Sequence, residues 1–231
     1  MLVLEDLVIG AGAFRVTADL TLHSGASVAI IGPSGAGKST LLDAIAGFRS
    51  PLSGRILWDG QEITRDAPGK RPVGMLFQDN NLFPHLTLTQ NLALALRPDG
   101  RLASADHAAI AAALDRVGLA GMENRRPSGL SGGQISRAAL ARVLLQARPI
   151  MALDEPFAAL GPALKIEMLD VVAQVAAEIG ALVLMVSHDP QDAMRFAGQT
   201  VFVNAGVAQG PFDTDALFSD PPKALRAYLG R

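Results

Sequence analysis

The 231-residue sequence contains no cysteine and carries little net charge. Without cysteine it can form neither disulfides nor thiolate metal sites, and nothing in it indicates an oxidising compartment. The formal net charge is −2 and the sequence pI is about 6.1, so no basic surface of the kind that binds nucleic acid is expected. The length suits one large domain, or one domain with an inserted lobe.

Long apolar runs are also missing. No uninterrupted apolar stretch is long enough to cross a bilayer, and Met1–Asp6 has neither the basic start nor the apolar core of a signal peptide. We therefore expect a cytoplasmic protein that is attached to a membrane at most peripherally. Hydrophobic residues still make up 49% of the chain and the mean hydropathy is +0.28. These values predict Ala/Leu/Val-rich helices and buried parallel strands, with room for an apolar docking surface.

Strand and helix patterns alternate along much of the chain. Strands are predicted at Leu2–Val8, Val16–Leu22, Ser27–Ile31, Arg55–Trp58, Val73–Phe77, Ile150–Leu153 and Leu182–Val186, with a closing hairpin at Thr200–Asn204 and Val207–Gln209. Helices are predicted at Ser39–Ala46, Leu88–Leu96, Ala108–Val117, Gly133–Leu145, Pro162–Ile179 and Gln191–Phe196. The pattern predicts an α/β fold with a mainly parallel sheet and helices on its faces. A helical lobe, residues 79–145, interrupts a core formed by residues 1–78 and 146–231.

A Gly-rich turn between a predicted strand and a predicted helix carries the first chemical motif. It reads Gly32, Pro33, Ser34, Gly35, Ala36, Gly37, Lys38, Ser39 and Thr40, which matches G-x4-G-K-[ST]. Glycines let the backbone wrap a polyphosphate, and the following helix directs its positive end at the phosphates. Lys38 adds a positive charge, and Ser39 offers a hydroxyl to Mg²⁺. The segment predicts a site for a nucleotide and Mg²⁺, without deciding among the P-loop classes; the alternative is a Gly-rich turn without a ligand.

The strand Ile150–Leu153 is followed directly by two carboxylates, Asp154 and Glu155. Parallel sheets bind ligands at the carboxyl ends of their strands, so Asp154 is expected beside the Gly-rich turn. There it would hold Mg²⁺, mostly through water. Glu155 would orient or deprotonate an attacking water. In the alternative interpretation, the second acid only caps a helix.

A second anion-binding pattern stands before a predicted helix. It consists of Leu130, Ser131, Gly132, Gly133 and Gln134. Taken alone, these small residues could form a flexible loop, although small residues before a helix also make an anion site.

With both motifs present, the sequence resembles the ABC ATPase family, whose signature is LSGGQ. The resemblance implies a P-loop NTPase of ABC type with an antiparallel β subdomain. In that family two copies meet head to tail, and the P-loop of one and the signature of the other enclose one ATP.

The resemblance also gives roles to two single residues that follow predicted strands. Gln78 matches the family's Q-loop glutamine, which touches Mg²⁺ or the water and links the core to the helical lobe. His188 matches the switch histidine, which contacts the γ-phosphate. The candidate catalytic residues are therefore Glu155, His188, Gln78 and Lys38, and the candidate Mg²⁺ ligands are Ser39, Gln78 and Asp154. The implied reaction is phosphoryl transfer to water.

Within the family, the sequence is most similar to the ATP-binding subunits of bacterial importers. Lys70–Thr87 looks especially like thiamine importer subunits, while importers of iron(III), sulfate, polyamines or sugars share part of the pattern. The resemblance implies a peripheral protein on the cytoplasmic face of the inner membrane. Its partners would be a second copy of itself, a permease and, indirectly, a periplasmic binding protein, and not a nucleic acid. Family members dock the permease at the segment Asp79–Phe83, so we expect Leu82 or Phe83 to face it.

Among the departures from the family pattern, one concerns the contact between the two copies and another the adenine site. Gly161 replaces an aspartate that normally spans the dimer after the catalytic glutamate, in the stretch Ala158–Gly161, and we expect weaker coupling between the two ATP sites. The family also stacks adenine on an aromatic residue near the end of the first strand. Only Phe14 is aromatic there, and its position in the sequence does not match that of the family's stacking residue. We therefore expect Phe14 to be a core residue and the selectivity for the base to be weak.

Three other functions remain open from the sequence. The first is a soluble ABC ATPase acting on DNA or ribosomes, although the chain shows one cassette and neither a heptad run nor a basic patch. The second is a small-molecule P-loop kinase, which would leave the LSGGQ pattern unexplained. The third is a module that binds nucleotide without hydrolysing it.

Overall fold

The computed structural model describes residues 1–12, 14–97, 101–158 and 160–230. Its strands in these ranges are β1 (Leu2–Ala11), β2 (Phe14–Leu22), β3 (Ser27–Ile31), β4 (Ser53–Trp58), β5 (Gln61–Glu62), β6 (Val73–Leu76), β7 (Ile150–Asp154), β8 (Leu182–Val186), β9 (Gln199–Asn204) and β10 (Val207–Asp213). Its α-helices there are α1 (Lys38–Ala46), α2 (Leu88–Leu96), α3 (Ser104–Arg116), α4 (Gly132–Gln146), α5 (Pro162–Ile179), α6 (Pro190–Phe196), α7 (Thr214–Ser219) and α8 (Lys223–Tyr228).

The described strands join one sheet in the order β5-β4-β1-β2-β10-β9-β3-β8-β7-β6. The five strands β9, β3, β8, β7 and β6 run parallel to one another. At the other end, β1, β2, β4 and β5 pair antiparallel, and β9 and β10 form the predicted antiparallel hairpin. The predicted combination of a mainly parallel core and an antiparallel β part is confirmed.

Strands β7 and β8 lie at the centre of the parallel region and are buried along their whole length. Side chains alternate between the two faces of a strand. In β7, Ile150 and Ala152 pack in the same cluster as helix α1, whereas Met151 and Leu153 pack in the cluster that contains α4 and α5. Helices therefore cover both faces, which explains why these strands read as continuous apolar runs.

Helices α2, α3 and α4 form a helical layer within residues 88–146. They share one apolar cluster, to which Leu92, Leu114 and Leu140 contribute fully buried side chains. Thr87 and Gln90 form a capping box at the start of α2, in which the side chain of each residue accepts a hydrogen bond from the main-chain N–H of the other. The helix therefore begins at its predicted first residue, Leu88. Among the helices of the described ranges, we find none that is both long enough and apolar enough to cross a membrane.

The sequence predicted the central elements well but missed the short ones. Leu88–Leu96 and Pro162–Ile179 have their predicted bounds. The two-residue strand β5 and the helices α7 and α8, of six residues each, were not predicted. Such short elements show too little periodicity to be recognised, and their stability comes from tertiary packing. In α8, Leu225 is fully buried in a cluster with Phe202 of β9, which places the end of this helix near the carboxyl ends of the strands.

Candidate functional site

The turn between β3 and α1 borders a cleft at the carboxyl ends of the parallel strands. The cleft has a volume of about 540 Å³, within the usual range for small-molecule sites. Seven residues between Gly32 and Thr40, all except Pro33 and Ala36, line it, together with Phe14, Gln78, Glu155, His188 and Tyr228. The structure thus brings the P-loop, Gln78, Glu155 and His188 of the sequence prediction to one place.

Two glycines of this turn are required by close contacts. Gly32 has φ +147°, and a Cβ added there would lie 1.9 Å from the carbonyl oxygen of Val203. Gly37 has φ +108°, and a Cβ added there would lie 2.4 Å from a methyl carbon of Val16. Both backbone conformations are ones that other residues rarely adopt. The turn can therefore pass between β9 and β2 only with glycine at these two positions.

Lys38 is buried at the first position of α1. Its ammonium group donates hydrogen bonds to the carbonyl oxygens of Gly32 and Pro33, at 2.9 and 3.0 Å. Burial lowers the pKa of Lys38, while the carboxylates of Glu155 and Asp154 oppose that shift. A phosphate group in the cleft would supply further negative charge and favour the protonated lysine.

Asp154 ends strand β7 and is largely buried. Burial raises the pKa of Asp154, and a hydrogen bond from the Ser39 side chain opposes that shift. Its Oδ1 is buried without a hydrogen-bond partner among the described atoms, which is a costly arrangement unless a ligand is bound. Oxygen donors from a carboxylate and a hydroxyl are the kind that Mg²⁺ prefers. These residues therefore fit Mg²⁺, with the remaining ligands left to phosphate and water.

Glu155 and His188 contact each other across the cleft. Glu155 has φ +45°, in the left-handed region, and its main-chain N–H donates to Val186 at 3.1 Å. The Oε2 of Glu155 lies 3.2 Å from Nδ1 of His188. The Glu155 side chain is 22% exposed and that of His188 is 64% exposed. A partly exposed carboxylate and imidazole beside a phosphate-binding loop can orient and deprotonate water.

An ion cluster supports the backbone around His188. Lys165 of α5 contacts Asp189 at 3.0 Å and Asp192 at 2.6 Å, and the Ser187 hydroxyl donates to Asp192 at 2.6 Å. Asp189 also caps α6, since its Oδ1 accepts from the main chain of Gln191 at 3.0 Å. Sequence reasoning missed this cluster. The Asp-Pro pair at the start of α6 is a helix-start signal, but no local sequence pattern indicates that Lys165 contacts this helix.

The signature residues do not line the cleft of their own chain. They form the beginning of α4, where Ser131 accepts from the main chain of Gln134 at 3.3 Å. The Gln134 side chain in turn accepts from the main chain of Ser131 at 2.9 Å. This capping box leaves Ser131 and Gly132 exposed at the positive end of a 15-residue helix. The chain therefore presents two separate features of the kind that favours anions, the Gly-rich turn and the beginning of α4.

Comparison with known proteins agrees with this geometry. The family model described as ABC transporter matches residues 17–158, more than half of the chain. The chain belongs to the ABC transporter family. The thiamine import ATP-binding protein ThiQ of Cereibacter sphaeroides is 61% identical over 230 residues, with 100% of both chains covered. The protein of the same name from Ruegeria sp. is 55% identical over 230 residues, again with 100% coverage of both.

A solved ABC structure also matches this cassette. The dimeric post-hydrolysis structure of the ATP-binding cassette MJ0796, bound to ADP and Pi, has a TM-score of 0.82 at 28% identity. The match covers 93% of this chain and 99% of that one. The expected P-loop fold of ABC type is thereby confirmed.

In this ABC cassette, two polar residues hold the segment that follows Gln78. Arg142 of α4 donates to the carbonyl oxygens of Asn81 and Asn80, at 2.7 and 3.3 Å. The buried Asn91 accepts from the main chain of Phe83 at 2.7 Å and donates back to its carbonyl at 3.1 Å. These contacts fix a loop that presents the Phe83 side chain, which is 46% exposed. Leu82 instead packs against the cluster of the helical layer.

The structure tests the expectation for Phe14 and shows where Gly161 lies in the cassette. The expectation that Phe14 is a core residue was wrong, because Phe14 is 36% exposed and lines the cleft beside Gly37. The pairing of β1 with β2 sets this position, and the sequence offset alone does not show that pairing. Gly161 is the N-cap of α5, and a Cβ added there meets no atom within 4 Å. Ala159, two positions before Gly161, lies outside the described residues.

Proposed function

We propose that this chain is the ATP-hydrolysing subunit of a bacterial ABC importer for thiamine or thiamine pyrophosphate. One observation carries the ATPase part of the proposal. A cleft of nucleotide size is lined by the P-loop lysine, a partly exposed glutamate and a histidine in contact with that glutamate. The solute part rests on the full-length likeness to thiamine import proteins.

In the proposed reaction, the protein acts mainly by positioning charge. Main-chain N–H groups of the P-loop and the Lys38 ammonium bind the β- and γ-phosphates. Ser39, Asp154 and Gln78 would hold Mg²⁺, which neutralises phosphate charge when it is bound.

Glu155 orients the attacking water and accepts its proton. His188, whose Nδ1 contacts Glu155, faces the terminal phosphate. Phe14 offers an exposed ring on which the base can stack.

The proposed active unit is a head-to-tail dimer. The signature Leu130–Gln134 lies outside the cleft of its own chain, yet it presents exposed residues at the N-terminus of a long helix. A second copy can place that helix end against the phosphates bound by the first, because helix N-termini favour anions. The dimeric state of the matched MJ0796 structure supports this arrangement.

Uptake in cells tests the solute assignment. A strain without this gene should lose uptake of labelled thiamine, and the wild-type chain should restore it. The Glu155→Gln variant, expressed to the same level, should not restore uptake, because it can assemble with the permease but cannot hydrolyse ATP. The deletion strain could instead keep its thiamine uptake and lose uptake of iron(III), sulfate, a polyamine or a sugar, which the wild-type chain then restores. That result would reject the thiamine assignment and retain the importer ATPase.

The permease is proposed to contact the loop Asp79–Phe83, on the membrane-facing side of the peripheral subunit. Phe83→Ala should lower the yield of the complex copurified with the permease and reduce transport. We expect a loss of about tenfold, since truncating one buried aromatic anchor typically costs 1–2 kcal/mol or more. ATP hydrolysis by the isolated chain should stay at the wild-type rate. Pull-down from solubilised membranes and uptake assays measure these effects.

A matched control for Phe83 is Phe212→Ala. Phe212 of β10 is 37% exposed and lies outside the loop Asp79–Phe83, so its truncation should leave assembly unchanged. If Phe83→Ala and Phe212→Ala assemble and transport equally well, Phe83 does not contact the permease.

A further inference from the structure

The C-terminal helix α8 reaches the nucleotide cleft with its last residue. Tyr228 lines the cleft, and its hydroxyl donates a hydrogen bond to the main-chain oxygen of His188 at 2.9 Å. The tyrosine ring packs at a tilt against Phe202 of β9, with ring centroids 6.4 Å apart. Tyr228 is thus anchored on the sheet on one side and holds the backbone of a proposed catalytic residue on the other.

The His188 side chain depends on its backbone for its position. It is 64% exposed, and Glu155 is its hydrogen-bond partner at Nδ1. The main chain on its C-terminal side is fixed by the cluster of Lys165 with Asp189 and Asp192. Tyr228 adds a contact at His188 itself. A shift of this backbone would move the imidazole away from the place of the terminal phosphate, and catalysis is sensitive to shifts of about 1 Å.

We propose that Tyr228 is a positioning residue for ATP hydrolysis, which acts by holding the main chain of His188 through its hydroxyl. This inference rests on the proposed ATPase function. It assigns a role in the reaction to α8, which lies outside the P-loop, signature and strand-end motifs.

The hydroxyl can serve as a steady donor because it stays protonated. Burial raises the pKa of Tyr228, and the nearby carboxylates of Asp189 and Glu155 raise it further, while a hydrogen bond with the main chain of Gly32 opposes that shift without reversing it. Ionisation would convert the donor into an acceptor facing a carbonyl oxygen. Across the neutral pH range, the hydrogen bond to His188 is therefore expected to persist.

Tyr228→Phe tests the proposal with little change in packing, because it retains the ring against Phe202 and removes only the hydroxyl. We expect kcat for ATP hydrolysis to fall about 3- to 10-fold, the size expected for one lost hydrogen bond. The KM for ATP should stay within about twofold, since the lost contact is not to ATP. In a His188→Ala background, adding Tyr228→Phe should have no further effect on kcat, because the two residues act as a unit.

The matched control is Arg226→Ala on the same helix. Arg226 is exposed and contacts Pro221 and Asp220, so its loss should perturb α8 without reaching His188. Its kcat should equal that of the wild type. Unchanged kcat in Tyr228→Phe, an equal loss in Arg226→Ala, or a full additional loss on His188→Ala would each overturn the proposal.

A second measurement does not depend on a variant. Tyr228 is the only tyrosine in the chain, so incorporation of 3-fluorotyrosine gives one ¹⁹F resonance. That resonance should shift when ATP and Mg²⁺ are added, because Tyr228 lines the cleft. An unmoved resonance in nucleotide-saturated protein would contradict this placement. Failure of the wild-type chain to hydrolyse ATP would instead reject the proposed function, and the two failures are thereby distinguished.

Discussion

Replacing Glu155 by glutamine is expected to abolish ATP hydrolysis while ATP binding remains. Glu155 lies at the end of β7 with its carboxylate at the cleft and 3.2 Å from His188. An amide of the same shape cannot accept a proton from water, and loss of a general base typically lowers the rate about 10²- to 10⁴-fold. Phosphate release by the purified protein measures the rate, and titration calorimetry measures ATP affinity. A variant that hydrolyses ATP at the wild-type rate would contradict the role of Glu155.

The control for this variant is Glu178→Gln. Glu178 of α5 is paired with Arg116 on the surface and does not line the cleft, so hydrolysis should be unchanged. The Glu155→Gln protein should also accumulate as a dimer in saturating Mg-ATP, because the nucleotide that joins two copies is no longer consumed. Size-exclusion chromatography with light scattering shows this directly. A strictly monomeric protein under these conditions would contradict the head-to-tail dimer.

Replacing Lys38 by methionine is expected to weaken ATP binding about 10- to 100-fold, as expected when a hydrogen bond to a charged group is lost. Lys38 is buried, and the two carbonyl oxygens that it contacts, of Gly32 and Pro33, belong to the same turn. Methionine fills similar space without the charge, so the turn should retain its shape. Calorimetric titration with ATP measures the affinity, and thermal unfolding checks the fold.

Lys70→Met is the matched control for this change. Lys70 is exposed in the turn before β6 and should bind ATP as the wild type does. Equal affinity in Lys38→Met and Lys70→Met would mean that Lys38 does not contact the phosphates, and the proposed nucleotide site would then be wrong.

Several parts of the fold and site could be predicted because their signals are local. The P-loop is a contiguous segment with a recognisable pattern, and its Gly32 and Gly37 have positive φ values that other residues rarely adopt. The buried strands β7 and β8 are continuous apolar runs, since helices cover both faces of the sheet. Asp154 and Glu155 follow one of these strands directly, so their position at its carboxyl end is implied by the chain itself.

Other features could not be predicted, because they depend on residues far apart in the sequence. Phe14 was expected in the core, but the geometry of β1 and β2 places it at the cleft. The pairs Arg142 with Asn81 and Lys165 with Asp189 join different elements, and a charged side chain alone does not indicate its partner. Helix α8 is too short to show a periodic pattern and is stabilised by packing against β9.

The sequence by itself determined the nature of the chemistry, because the groups that bind phosphate and activate water stand in short segments with fixed local geometry. The tertiary structure alone decided how His188 is held. Tyr228 reaches it from 40 residues further along the chain, and Lys165 supports the neighbouring Asp189 from 24 residues earlier. Such contacts follow from the order of strands in the sheet and the packing of helices on it. Sequence separation carries no information about them.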